Sequence, residues 1–207
     1  MARPREFDED SALEAAIQCF WTHGYEASSV RDLADGMGIT VASLYNAFGD
    51  KRALYLRALA RYVERSFGER IARLEGRMPP RAAIVAFFRE IVDRSLGDPL
   101  CKGCMMVNAA LEAAPGDPEF QRTIDGILGG VESFFLRCVA AGQREGAIAG
   151  AHSPQDLARL LLATLLGIRV MARVRPQREL FEGMLRPVLA LLDGDGAGAS
   201  RPESRRG

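Results

Sequence analysis

Residues 29–55 read SVRDLADGMGITVASLYNAFGDKRALY, and this stretch decides the fold of the N-terminal part of the chain. It contains two short helical patterns. Gly38 lies between them, at a turn where glycine can adopt a left-handed backbone without steric cost. Ala34 is small where the two helices must approach each other, and Thr40 is suited to cap the second helix. Two short helices joined by a tight glycine turn are typical of a helix-turn-helix.

The sequence on either side of this pair is also helical. Apolar residues recur at i, i+3, i+4 and i+7 over residues 7–22, which predicts a first helix that ends at Gly24. Asp50 is suited to cap a long fourth helix over residues 51–75. We therefore predict a DNA-binding domain at residues 1–50, which the fourth helix connects to the rest of the chain.

The remainder of the chain keeps the helical period, and no alternating strand pattern is convincing. A segment rich in glycine and proline at residues 76–80 breaks the pattern and marks the joint between two domains. Further helices are predicted at about 81–96, 101–113, 118–145, 154–174 and 178–193. The prediction is an all-α chain of about nine helices, with a larger C-terminal domain at residues 76–193. Residues 194–207 lack an apolar anchor and are predicted to form a disordered tail.

The composition favours a folded, reduced cytosolic protein. Hydrophobic residues make up 48% of the chain, which is enough to bury a sizeable core. The N-terminal MARPREFDED has no secretory signal, no apolar run approaches a membrane span, and four cysteines are too few for a disulfide framework. We therefore expect a cytoplasmic protein with no membrane partner.

Charge is distributed unevenly along the chain, although the formal net charge is zero. Residues 1–50 carry three arginines against nine acidic residues, whereas residues 51–81 carry nine basic residues against three acidic ones. The positive potential for DNA is therefore expected from the fourth helix, and from Arg3 and Arg5 if they reach a minor groove. The arginines beyond Arg61 are better explained as the solvated face of that helix. We therefore expect the domain to make few phosphate contacts, and we expect binding to be salt-sensitive.

The second helix of a helix-turn-helix lies in the major groove of DNA, led by its N-terminus. Residues 39–49 carry no charge, so nothing there repels phosphate. Hydroxyl groups and the N-terminus of the preceding helix suit phosphate oxygens, and a phenol can reach the groove edge. An asparagine can pair with adenine, and small apolar side chains can touch thymine methyl groups. The residues expected to contact DNA on these grounds are Ser28 or Ser29, Thr40, Val41, Ala42, Ser43, Tyr45 and Asn46.

The same stretch resembles the DNA-binding signature of the TetR family of transcriptional regulators, over residues 7–60. The residues that carry the resemblance are Gly38-Ile39-Thr40, Leu44-Tyr45, Phe48, Lys51 and Leu54, preceded by Phe20, Gly24 and Tyr25. The resemblance implies that Lys51 contacts the DNA backbone. Two positions depart from it, since Gly36 stands where alanine is usual and Asn46 where histidine is commoner. Gly36 should cost about 1 kcal/mol of helix stability.

The resemblance further implies a ligand-responsive homodimer, and a repressor rather than an activator. The dimer would form through the last two long helices, bind a palindromic operator in double-stranded DNA, and release it when a small molecule enters the C-terminal domain. Aromatic and methionine side chains with a few polar anchors make an apolar pocket, so a mostly apolar effector is expected. The candidate pocket residues are Phe87, Phe88, Met105, Met106, Asn108, Phe134, Phe135, Arg169 and Met171.

Two other classes of function remain open from the residues alone. Cys101 and Cys104 form a CxxC spacing, which would suit a thiol-redox protein. A helical adaptor that binds only protein is the second alternative, but it leaves the uncharged, capped recognition helix unexplained. No second CxxC or histidine cluster is present, so no metal is expected. No GxSxG, HExxH or phosphate-loop motif is present either, so neither an enzyme nor a cofactor is expected.

Overall fold

The computed structural model describes residues 7–113 and 116–193, and all regular structure in these two ranges is helical. The predictions for Arg3, Arg5 and the tail at 194–207 lie outside the described residues. The nine helices of the described ranges are α1 (Glu9–His23), α2 (Val30–Met37), α3 (Val41–Phe48), α4 (51–74), α5 (Pro80–Leu96), α6 (Met105–Glu112), α7 (Pro118–Arg144), α8 (Pro154–Val174) and α9 (Arg178–Asp193). The predicted all-α architecture of about nine helices is confirmed.

Polar side chains begin most of these helices, as their N-terminal N–H groups require. The Asp50 carboxylate accepts a hydrogen bond from the Ala53 N–H at 2.7 Å at the start of α4. Asp117 caps α7 and Ser153 caps α8, each directly before a proline in the first turn. Gly24 ends α1 with φ of 86°. The predicted helix boundaries follow from these caps.

The helix predicted at 101–113 begins later, at Met105. Cys101 has φ of 48° and Gly103 has φ of 73°, so both residues lie in the left-handed region. A right-handed helix cannot pass through such residues. Residues 101–104 are therefore an irregular loop, and the predicted start of this helix was wrong by four residues.

α4 is one continuous helix with a π-helical turn inside it. Its α-helical part Lys51–Val63 is followed by the π turn Glu64–Gly68 and then by α-helical Glu69–Leu74. The backbone stays in the right-handed helical region where the segments join, at Val63 and at Gly68. π turns of this kind often lie at functional sites. This helix connects the helix-turn-helix to the larger helical domain.

Aromatic and polar contacts join the helix-turn-helix to the C-terminal helices. The Phe120 ring at the start of α7 lies 5.4 Å from that of Tyr25 and 5.5 Å from that of Tyr55. The Arg52 guanidinium donates to both carboxylate oxygens of Asp117, at 2.7 and 2.8 Å. At the end of α6, the Glu112 carboxylate accepts the Tyr25 N–H at 3.0 Å. The start of α7 and the end of α6 therefore both contact Tyr25, which directly follows the end of α1.

No helix in the described ranges is long and apolar enough to span a membrane.

Candidate nucleic-acid interface

The turn between α2 and α3 sets the angle at which α3 leaves the core. Gly38 adopts φ of 66° and ψ of 30°. Its N–H donates to the Asp35 carbonyl at 3.1 Å, and the Ile39 N–H donates to the Ala34 carbonyl at 3.0 Å. These two bonds satisfy the last carbonyls of α2 and redirect the chain within two residues. The glycine turn predicted from the sequence is present.

Two hydroxyl groups lie together at the N-terminus of α3. Thr40 Oγ1 accepts the Ser43 N–H at 3.1 Å and lies 2.9 Å from Ser43 Oγ. Thr40 is exposed and Ser43 is half-buried. The helix dipole is positive at this end, so the pair is suited to a phosphate oxygen.

The outer face of α3 is exposed and carries no charge. Leu44 and Phe48 point into the core, whereas Tyr45 keeps 49% of its surface exposed. The remaining outward side chains on this helix are Val41, Ala42 and Asn46. A phenol and an amide beside small apolar groups are the chemical groups that read base edges in a major groove. The structure thus brings the predicted α3 residues onto one surface.

The two serines before α2 have different roles. Ser29 is exposed and caps α2, where its hydroxyl accepts the Asp32 N–H at 3.1 Å. Asp32 in turn accepts the Ser29 N–H at 3.1 Å, which completes a capping box. Ser28 is buried, and its hydroxyl donates to the Gly24 carbonyl at 2.7 Å. Of the two candidates for a phosphate contact, Ser28 is therefore ruled out by burial and Ser29 is retained.

Lys51 begins α4 directly after the end of α3. Its Nζ lies 4.4 Å from the centroid of the Tyr25 ring and 3.4 Å from the Glu26 carbonyl oxygen. These contacts hold the ammonium group beside the segment that precedes α2. No carboxylate of the described residues pairs with its charge, so Lys51 stays suited to the phosphate contact that the resemblance implies.

The other basic residues of α4 do not supply the positive potential that the sequence suggested. Arg61 pairs with Asp10 at 3.1 Å and with Glu14 at 3.3 Å, and Arg65 also pairs with Glu14. Further ion pairs in the described ranges join Arg52 to Asp117 and Glu119, Arg57 to Glu9, and Arg70 and Arg73 to Glu90. Three α4 arginines therefore pair with carboxylates of α1 and three with carboxylates of the C-terminal part, so less positive potential is left for DNA than the sequence suggested.

Four of the predicted pocket residues are core instead. The rings of Phe87, Phe88, Phe134 and Phe135 are fully buried and pack on one another, with centroids 5.2–5.9 Å apart. Met105 and Met106 are buried in the same core, and Met171 is packed partly buried against it. Side chains in such close mutual contact hold the C-terminal helices together rather than line a cavity.

The two polar candidates of the predicted pocket lie near each other. Asn108 Oδ1 accepts a hydrogen bond from Arg173 at 2.8 Å, and its amide donates to the Lys102 carbonyl at 3.4 Å. Arg169 is buried at 4% exposure and borders a cavity of about 220 Å³. Three further residues of this cavity, Trp21, Arg94 and Lys102, were missed from the sequence, because they are far apart along the chain.

The CxxC cysteines are free thiols. Cys104 is buried, and the Tyr62 hydroxyl donates toward its sulfur at 3.6 Å. Burial raises the pKa of Tyr62, and the neighbouring Cys104 raises it further. Within the described ranges, no group of three His, Cys, Asp or Glu side chains is placed to hold a metal ion. The role of the thiols stays a prediction.

The capped, uncharged α3 and the turn before it define a helix-turn-helix DNA-binding protein. Residues 12–58 match the family model for bacterial regulatory proteins of the tetR family. Residues 80–187 match that for the tetracyclin repressor-like C-terminal domain. The chain belongs to the TetR family, and it is a DNA-binding transcriptional regulator rather than an enzyme.

Relatives and solved structures are similar to this chain over most of its length. An uncharacterised HTH-type transcriptional regulator of Bacillus subtilis, YezE, is 32% identical over 195 residues, which is 93% of this chain and all of YezE. The transcriptional repressor ComR of Escherichia coli is 28% identical over 83% of this chain and 82% of its own length. A cysteine mutant of the TetR-family regulator CifR, solved with 26-bp double-strand operator DNA, has a TM-score of 0.82 and 31% identity, and covers 92% of this chain and 100% of that one.

Proposed function

We propose that this regulator is a ligand-responsive repressor that binds a palindromic operator as a homodimer in the cytoplasm. The observation that carries the proposal is the placement of α3. Its uncharged outer face is exposed at one end of α4, and the other part of α4 packs in the C-terminal helical domain. Among the relatives, ComR is a repressor by description, and CifR was solved on operator DNA. The repressor assignment follows from this similarity.

DNA contact is assigned to the exposed groups of α3, the α2 cap and Lys51. Asn46 and Tyr45 are placed to read base edges, and Val41 and Ala42 to contact thymine methyl groups. The hydroxyls of the α2 and α3 caps, with Lys51, would hold the sugar–phosphate backbone. Since most α4 arginines already have carboxylate partners, few phosphates are neutralised and the base contacts carry much of the affinity. Binding should therefore depend less steeply on salt than the sequence suggested.

Dimerisation is assigned to the outward faces of α8 and α9. Leu160, Val170 and Val174 follow one side of α8, where Val174 keeps 72% of its surface exposed, and Leu191 is exposed on α9. Apolar side chains in a continuous exposed stripe are typical of a two-fold helical interface. A dimer would place its two α3 helices one DNA turn apart, about 34–36 Å, which requires a palindromic site.

Fluorescence anisotropy with labelled DNA tests the proposal. The target is the DNA that flanks the gene, followed by a sequence selected from a random library if that DNA fails. The wild type should bind in a saturable way, and Tyr45→Ala should bind about 5- to 150-fold more weakly, the value of one lost base contact at about 1–3 kcal/mol. Met78→Ala, which removes an exposed side chain in the segment between α4 and α5, is the matched control and should bind as the wild type does.

Two outcomes would contradict the proposal. If no sequence is enriched from the random library, sequence-specific binding is absent and the helical adaptor becomes the better reading. If Tyr45→Ala and Met78→Ala bind equally, α3 does not face the DNA. Size-exclusion chromatography of Val174→Glu separates the dimer from DNA recognition, because a charge in the apolar stripe should give monomers that keep their helical content.

A further inference from the structure

A cavity of about 220 Å³ lies where the DNA-binding part meets the C-terminal helices. α1 contributes Trp21, the end of α5 contributes Arg94 and Ser95, the loop after it contributes Lys102, and α8 contributes Arg169. An engineered apolar cavity of about 150 Å³ is known to hold benzene, so this volume is enough for a molecule with a single ring. The cavity thus has the size of a small-molecule site and walls from both parts of the chain.

Arg169 is a buried cation, and no carboxylate in the described ranges pairs with it. Its guanidinium donates to the Ser95 hydroxyl at 2.8 Å and to the Gly103 carbonyl. The Cys104 and Tyr62 side chains also lie against the guanidinium, and both are neutral acceptors rather than carboxylates. A buried charge that lacks an ionic partner is costly, and such charges are concentrated at functional sites. Because Arg169 borders the cavity, an anion bound there would supply the missing counter-charge.

Two more cations face the same space on either side of Trp21. Lys102 Nζ lies 4.2 Å from the centroid of the indole ring, and the Arg94 guanidinium lies 5.8 Å from it. In the described part of the chain, neither cation has an ion pair. The acidic residue at the cavity, Asp98, is occupied by backbone groups, since it accepts the N–H of Leu100 at 3.1 Å and of Lys102 at 2.7 Å. The balance of charge around the cavity is positive.

Unsatisfied polar groups are concentrated here. Among the described residues, the buried side-chain atoms without a hydrogen-bond partner are Trp21 Nε1, Ser66 Oγ and Arg169 Nε. Trp21 and Arg169 border this cavity. A neighbouring cavity of about 250 Å³ is bordered by Ser66, and the two cavities share Trp21 and Arg94. Ser66 belongs to the π turn of α4. Native proteins satisfy nearly all buried polar groups, so these atoms single out this region of the molecule.

We propose that this cavity binds a small organic carboxylate with a short apolar body, and that this anion is the effector. The carboxylate would lie among the positive charges of Arg169, Lys102 and Arg94, while the body would rest on Trp21 and Ala172. A neutral apolar ligand would leave the cations unpaired. The assignment as effector rests on the proposed function, but binding of the anion does not. An anionic effector differs from the mostly apolar effector expected from the sequence.

The cavity wall offers a direct way to alter the DNA-binding part. Lys102 Nζ donates to Gln18 on α1 at 3.1 Å, so the loop and α1 already touch at this point. An anion that attracts Lys102 and Arg169 would draw the loop and α8 together against Trp21. Such a ligand shifts the protein between states only by its differential affinity for them.

Trp21 is the single tryptophan of the chain and reports on the cavity directly. Its fluorescence is titrated with benzoate, butyrate and inorganic phosphate, and with benzamide as the uncharged match of benzoate, in the absence of DNA. Benzoate or butyrate should change the signal in a saturable way, at least tenfold more tightly than benzamide or phosphate. Arg169→Gln should weaken carboxylate binding at least tenfold, because a charged hydrogen-bond partner is lost. Arg89→Gln, which removes an exposed arginine of α5 outside the cavity, should bind as the wild type does.

Arg169 is buried, so Arg94→Gln serves as a second variant at an exposed position, and it should also weaken carboxylate binding. No saturation by either carboxylate at millimolar concentration would overturn the proposal, as would equal binding of benzamide or tighter binding of phosphate. DNA release is measured separately. Carboxylate binding without release of the operator contradicts only the effector role, whereas loss of operator binding in the untreated wild type contradicts the proposed function itself.

Discussion

Gly36 and Gly38 lie two residues apart, and alanine substitutions at these positions should have opposite effects on stability. A Cβ added at either glycine meets no other atom within 4 Å, so packing does not distinguish them. Gly36 is the next-to-last residue of α2, on its exposed side. Gly38 is the left-handed residue after the helix, with φ of 66°. The backbone conformation is therefore the difference that decides the result.

The magnitudes follow from the two conformations. Alanine is about 1 kcal/mol more favourable than glycine in a helix interior, which is an upper limit for the last turn, so Gly36→Ala should stabilise the fold by at most about 1 kcal/mol. Alanine in the left-handed region costs about 1–2 kcal/mol, so Gly38→Ala should destabilise it. The two variants should differ by about 1–3 kcal/mol in the free energy of unfolding. For a chain of this size, each 1 kcal/mol moves the melting temperature by about 2–4 °C.

Urea unfolding followed by circular dichroism measures the difference. The two variants and the wild type are compared at one fixed protein concentration, because a dimer gains apparent stability with concentration. The slope of unfolding against urea should stay unchanged, which assigns the shift to stability alone. If Gly36→Ala were no more stable than the wild type, or Gly38→Ala were not destabilised, the backbone argument for this turn would be refuted.

Three further predictions concern stability. Ser29→Ala should cost about 1 kcal/mol of unfolding free energy by removing the α2 cap, and unchanged urea midpoints would contradict that role. Phe87→Ala should cost about 3–5 kcal/mol as a core truncation, measured in the same way, and a loss under 1 kcal/mol would restore it as a pocket residue. Hydrogen bonds from Arg73, and from Arg70, lower the pKa of Glu90 below its ordinary value of 4.5. The stabilisation is therefore present above that value and lost as pH falls through the lower folded value, so Glu90→Gln should flatten the acid side of the stability profile. An unchanged acid profile would contradict this.

Local signals explain why most of the fold was predictable from the sequence. The caps at Asp50, Asp117 and Ser153 act within three residues of themselves, and the turn at Gly38 needs only its own backbone. The choice between Ser28 and Ser29 was not predictable in this way. Both serines precede α2, and the bond of the Ser28 hydroxyl to Gly24 depends on how the preceding loop folds back.

Contacts between distant residues account for what the sequence did not reveal. Arg61 finds its carboxylates on α1, about fifty positions earlier, so a count along the chain mistakes a paired surface for a basic one. The cavity brings together Trp21 and Arg169, which are far apart in the sequence. Phe87 and Arg169 both lie on the inward faces of their helices, and the helical period does not distinguish them. Periodicity identifies the face of a helix that is buried, but it does not tell a packed core from a cavity wall.

The segment at the end of α1 links the cavity to the DNA-contacting surface. Trp21 forms a wall of the cavity, and Tyr25, four residues later, has Lys51 over its ring and donates its N–H to Glu112. A displacement of α1 by a bound anion would therefore move Tyr25, and with it the position of the Lys51 side chain, without passing through other helices. The coupling free energy between two such sites is commonly about 1–3 kcal/mol, and it is reciprocal. Operator DNA should therefore weaken anion binding at Trp21 by the same factor by which the anion weakens operator binding. Anion binding that operator DNA leaves unchanged would show that the cavity is not coupled to the DNA-contacting surface.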